Sequence, residues 1–183
     1  MSTCTLCVLH EKRTQTVFAR GNPLSELCFI GEGPGEDEDE QGLPFVGKAG
    51  QLLDKMISAM GLSTTEDVYI CNIVKCRPPG NRNPLPPEVT ACAPYLTEQL
   101  DLVRPKVIVT LGNVPLKALF GVDGITKLRG SWRVYKGSIP VMPTYHPAYV
   151  LRNPSPQVKG EVWKDLREVL KQLGRQLPPR SSG

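Results

Sequence analysis

No stretch of the 183-residue sequence approaches the roughly 18 consecutive apolar residues that a membrane-spanning helix requires. The opening MSTCTLCVLHEKR also lacks a basic segment followed by an apolar one, so no secretory signal is expected and the protein is read as intracellular and cytoplasmic. Charged residues make up 22%, too ordinary a share for a disordered chain. Covalent staples are unnecessary as well, because a single domain of this size buries about 70% of its unfolded surface. In a reducing compartment the six cysteines are therefore expected to bind metal or to pack, not to form bridges. Histidine occurs only twice, as His10 and His146.

What the sequence does have is a divided charge. The formal net charge of +4 conceals a net of −5 over residues 1–100 and of +9 over residues 101–183. A basic half commonly meets a polyanion, although a solvated basic face has the same signature.

Four short apolar runs rich in β-branched residues, at 27–31, 68–74, 107–111 and 139–142, are near-continuous and do not alternate. That pattern suits strands buried on both faces of a parallel sheet. Segments of helical period lie between them. Residues 47–60 place Leu52, Leu53, Met56, Ile57 and Met60 on one stripe, and 86–103 open with Pro-Pro-Glu and stop before Pro105. Residues 113–120 and 160–173 complete the set. This alternation predicts a three-layer α/β/α sandwich around a central four-stranded, mostly parallel sheet, as one domain over residues 1–177. Residues 178–183 are expected to be a disordered tail. Prolines concentrate in 77–87 and 140–156, which predicts ordered loops after the second and fourth strands. Open α/β sheets bind their ligands at that end.

Cys28 and Cys71 sit inside apolar runs and read as small buried side chains. Cys4 and Cys7 form C-x2-C, Cys76 follows the second strand, and Cys92 lies sixteen residues later. Four thiolates satisfy either tetrahedral zinc or a [4Fe–4S] cluster. The wide split of the second pair suits a cluster better than a zinc ribbon. A site there would staple the N-terminal segment to the loop after the second strand, a structural role.

The first strand ends in Gly31-Glu-Gly-Pro-Gly-Glu-Asp-Glu-Asp. A dinucleotide loop needs glycine where Glu36 stands, the acidic run 36–40 opposes pyrophosphate, and no Walker Gly-Lys-Ser/Thr exists. What remains is a tight turn exposing backbone amides, suited to a planar polar ligand.

The stretch GEGPGEDEDEQGLPFVGKAGQLL resembles the first motif of the family 4 uracil-DNA glycosylases, the iron–sulfur type. NIVKCRPPGNRNPLPPE, ITKLRGSW and HPAYVLRNP at 146–154 fit the same family, and Cys4, Cys7, Cys76 and Cys92 occupy its [4Fe–4S] cluster positions. The resemblance implies hydrolysis of the N-glycosidic bond of deoxyuridine, in double- or single-stranded DNA, by a monomer that flips the nucleotide out. Phe45 would stack on uracil, and Glu32, Gly33 and Pro34 would frame it. Asn72 would accept from uracil N3–H and donate to O4, and His146 would donate to O2 as charge develops there. Lys127, Arg129, Arg133 and Arg152 would meet phosphates, and Leu151 would wedge into the vacated stack.

The sequence departs from the best-known branch of the superfamily at two places. Gly33 stands where that branch has an aspartate, so Glu32 is the expected group for orienting water or stabilising the sugar cation. Gly35 replaces a pocket-closing tyrosine, which leaves Glu38 as the candidate for excluding thymine; the other acidic residues of 36–40 are expected to be a solvated loop. A relative that captures the sugar on a histidine after the second strand has no counterpart here, because 77–87 contain no histidine and ordinary turnover follows. A non-catalytic metal module that binds nucleic acid would account for the cysteines and charge but not for Phe45, Asn72 and His146 at one sheet end.

Overall fold

The computed structural model describes residues 2–177; positions 178–183, expected to be a disordered tail, lie outside them. The strands are β1 (Arg20–Gly21), β2 (Leu27–Gly31), β3 (Val68–Asn72), β4 (Val107–Leu111), β5 (Arg133–Tyr135) and β6 (Ile139–Thr144). The helices are α1 (Glu36–Gln41), α2 (Lys48–Ala59), α3 (Pro86–Val103), α4 (Asn113–Phe120), α5 (Ile125–Leu128), α6 (Pro147–Arg152) and α7 (Pro156–Gln172). No helix among the described residues is long and apolar enough to cross a membrane.

The sheet runs β1-β3-β2-β4-β6-β5, with the four inner strands mutually parallel and the two edge strands antiparallel. Every residue of β2, β3 and β4 is buried, which explains their unbroken apolar sequences. One face packs on Leu53 and Ile57 of α2, Val150 of α6 and Val162, Leu166 and Val169 of α7. The other packs on Leu96 and Leu100 of α3, Leu119 and Phe120 of α4, and Leu9. The expected α/β/α layering is therefore present, but the sheet has six strands instead of four. The additional edge strands are two and three residues long and incompletely buried, so they carry no apolar run to recognise.

Two expected loops are helical. The acidic run forms α1, and its Asp39 is buried, accepting from the Thr14 and Gln15 amides. Four acidic side chains in its first turn suit a helix N-terminus. Residues following His146 form α6, with Pro147 at the first helical position. Chain order places β3 to one side of β2 and β4 to the other, so the carboxyl ends of β2 and β4 flank a topological switch point.

Candidate active site

A cavity of about 560 Å³ opens at that switch point. Glu32, Gly33 and Pro34 from beyond β2, Asn72 at the end of β3, Gly112 beyond β4 and His146 beyond β6 all line it, and Phe45 enters from the loop before α2. The residues expected to contact a base therefore come together.

Gly31, the last residue of β2, sits against two of the lining side chains. A Cβ there would run into the Asn72 amide oxygen and the Phe45 ring, so the missing side chain is what lets both approach. Asn72 is 2% exposed, and its Oδ1 has no hydrogen-bond partner among the described residues. Leaving a buried acceptor unpaired costs about 1–3 kcal/mol, an expense that marks a site shaped for a donor from outside. Its main-chain oxygen is held by the wholly buried Lys75, whose Nζ donates at 2.7 Å.

His146 caps α6. Its Nδ1 accepts from the Ala148 amide at 3.0 Å, which fixes the proton of the neutral ring on Nε2. Burial, with the Arg152 charge second, pushes its pKa down to about 4. The imidazole is therefore a neutral donor near pH 7. The Phe45 ring centroid stands 5.6 Å from that of His146. Burial also raises the Glu32 carboxyl above its ordinary range.

Glu38 lines the cavity, but its carboxylate accepts from the Gly35, Val46 and Gly47 amides at 2.8–3.0 Å, bracketing the two loops that frame the base. Close neighbours also account for the two glycine departures. A Cβ at Gly35 would stand 2.7 Å from Glu38 Oε2, and one at Gly33 2.7 Å from a Val74 methyl, so neither tyrosine nor aspartate fits without rearrangement.

Arg152 is exposed and lines the cavity; Lys127 on α5 and Leu151 on α6, which is 45% exposed, do not line it. Arg82, not anticipated from the sequence, also lines the cavity while paired with buried Glu88. Arg129 corrects an expectation. Its Nε and Nη2 are committed to Asp165 on α7 and to the Glu161 carbonyl, so two of its three nitrogens are already engaged inside the protein. Arg133 stacks over Phe120 at 5.8 Å on the sheet edge.

Cys4, Cys7, Cys76 and Cys92 line one small separate pocket with His10, Arg13 and Tyr95. Arg13 Nη1 donates to Cys76 Sγ at 3.1 Å. Among the described residues no three His, Cys, Asp or Glu side chains close around a single ion. Cys28 and Cys71 are buried in the sheet, as expected.

A mostly parallel sheet with a cavity at its switch point is the architecture of a ligand-binding α/β protein, and the Uracil DNA glycosylase superfamily matches residues 18–167. The chain is 47% identical over 170 residues to the type-4 uracil-DNA glycosylase of Thermotoga maritima, covering 91% of this chain and 87% of that protein. It is 46% identical over 175 residues to the type-4 enzyme of Sulfurisphaera tokodaii, covering 91% and 80%. The type-4 enzyme of Archaeoglobus fulgidus is 42% identical over 183 residues, covering 96% and 90%. The chain belongs to the type-4 uracil-DNA glycosylases of that superfamily.

Proposed function

We propose that this protein removes uracil from DNA by hydrolysing its N-glycosidic bond, leaving an abasic site and starting base excision repair. The observation that carries the reading is the unpartnered Asn72 amide oxygen, buried in the cavity that also holds Phe45 and neutral His146. Uracil supplies the N3–H that this oxygen lacks, and the Asn72 amide N–H donates to O4. Cytosine reverses both polarities and would leave buried groups unpaired, a mismatch that can reach ~10⁴ in selectivity.

The target bond is inaccessible in a stacked duplex, so the nucleotide must rotate into the cavity or arrive single-stranded. Phe45 stacks on the base and Pro34 bounds its edge. As the bond to deoxyribose lengthens, negative charge gathers on the pyrimidine, and His146 Nε2–H donates to O2. Being neutral, the ring helps by donation without releasing its proton. Glu32, at the same cavity, faces the sugar cation and orients the water that captures it. A largely dissociative path asks little base strength of that carboxylate, consistent with glycine at position 33. Arg152, Lys127 and Arg82 meet phosphates, and Leu151 occupies the vacated stack. The chain acts as a monomer inside the cell, on double- or single-stranded DNA.

We assign the four-cysteine pocket to a [4Fe–4S] cluster held by Cys4, Cys7, Cys76 and Cys92. Four thiols line that one pocket, and the Arg13 guanidinium beside Cys76 suits a group that carries negative charge. It would tie the N-terminal segment to β3 and α3 and takes no part in bond cleavage. Purified protein should be brown with about four irons per chain; colourless protein containing zinc overturns this assignment. The activity is tested by incubating a duplex with one deoxyuridine and looking for an alkali-labile abasic site.

A further inference from the structure

We propose that Arg20, which lies outside every motif and does not line the cavity, is a positioning residue that holds Phe45 against the flipped base. The inference rests on the reading that Phe45 stacks on uracil. Phe45 has φ of 57°, the left-handed region that a bulky side chain adopts only under constraint. The surrounding contacts supply that constraint from both sides. Arg20 Nε donates to the Pro44 carbonyl at 2.7 Å, and its Nη2 donates to the Phe45 carbonyl at 3.1 Å. The planar fork thus grips two consecutive carbonyls, a geometry that lysine's single ammonium does not reproduce. On the following side, Glu38 takes the Val46 and Gly47 amides.

The clamp is itself anchored. Asp54 on α2 holds the Arg20 guanidinium at 2.5 Å, and the Arg20 side chain is only 15% exposed. Gly50 completes the arrangement, because any Cβ there would collide with the Phe45 carbonyl. Arg20 also pairs with Ile70 across the β1–β3 ladder, two residues from Asn72. One side chain therefore ties the stacking ring to the strand that carries the uracil reader, so ring and amide keep a fixed separation.

The test is a double-mutant cycle on Arg20→Met and Phe45→Ala, read by kcat and KM on a duplex with one deoxyuridine, by inhibition with free uracil, and by Tm. Arg20→Met should lower kcat/KM by ~10- to 100-fold and weaken uracil inhibition about tenfold, since small misplacements cost that much. Arg20→Lys should recover part of the loss. The double variant should be no worse than Phe45→Ala alone, because without the ring there is nothing to position. Asp54→Asn, which frees the guanidinium without removing it, should repeat the pattern at smaller amplitude and carries the test should Arg20→Met not fold. A lowered Tm with wild-type kcat/KM and uracil inhibition overturns the proposal, as do losses that multiply in the double variant. If Phe45→Ala alone retains full activity, the stacking reading fails first and the clamp with it.

Discussion

His146 offers the sharpest test of the chemistry, because its geometry fixes both its tautomer and its charge. Nδ1 is occupied by the Ala148 amide, so only Nε2 faces substrate as a donor. Its pKa of about 4, against an ordinary 6.5, disfavours the charged ring by roughly 3 kcal/mol. At pH 6 only ~1% of the folded protein would carry imidazolium. The single-turnover excision rate should therefore show no titration near pH 6.5 and stay nearly flat down to about pH 5 as far as this group is concerned. His146→Ala should lose ~10²–10³ in rate, the usual worth of one preorganised donor. It should also cost about 1 kcal/mol of stability, since α6 loses its cap. The stability of the wild type follows from the same shift. Between pH 6.5 and 4 the unfolded chain takes up a proton at this position and the folded chain does not, so the depressed pKa lowers stability as pH falls through that window. An excision rate that titrates near 6.5, with the step abolished in His146→Ala, would refute the neutral-donor account. A variant within a few-fold of wild type would remove His146 from the mechanism altogether.

Other expectations rest on separate parts of the site. Asn72→Asp should lower uracil excision and shrink the preference over cytosine, measured on paired substrates; unchanged selectivity means that another group reads the base. Gly31→Ala places a methyl against Asn72 Oδ1 and the Phe45 ring, so excision should fall by ~10² while the fold survives; a wild-type rate would show that the positions of Asn72 and Phe45 do not depend on that glycine. Arg129→Met strands the buried Asp165 and should cost about 3–5 kcal/mol in denaturant unfolding. The salt dependence of DNA binding should stay unchanged in that variant, whereas Lys127→Ala should reduce the salt slope by about 1. A reduced slope in Arg129→Met would return that residue to the phosphate contacts.

Most of the framework was legible because strong local signals and tertiary demands agree. The Pro-Pro start and Pro105 stop delimit the segment 86–103, and it is helical over those residues, with Glu88 accepting from the Leu85 amide at the first turn. The inner strands declare themselves because burial on both faces leaves only apolar choices. Helices of six residues or fewer are less visible. The acidic run carries no apolar stripe, and α6 is too short to show a period, so both read as loops. Charge was the least legible property. Arg129 looks like any basic residue near a DNA-facing loop until the fold brings Asp165 beside it from 36 positions away. Arg20 has no local signature, since its meaning lies in two carbonyls presented 24 and 25 residues later. The resemblance to a known family supplied the base itself, because periodicity and composition contain nothing that distinguishes uracil from other planar ligands.

The central claim is tested most directly by single-turnover incubation of the purified chain with duplex and single-stranded oligonucleotides, each carrying one deoxyuridine, beside cytosine and thymine controls. The account predicts free uracil and an alkali-labile abasic site from the deoxyuridine strands alone. Binding of those oligonucleotides with no base released would contradict it.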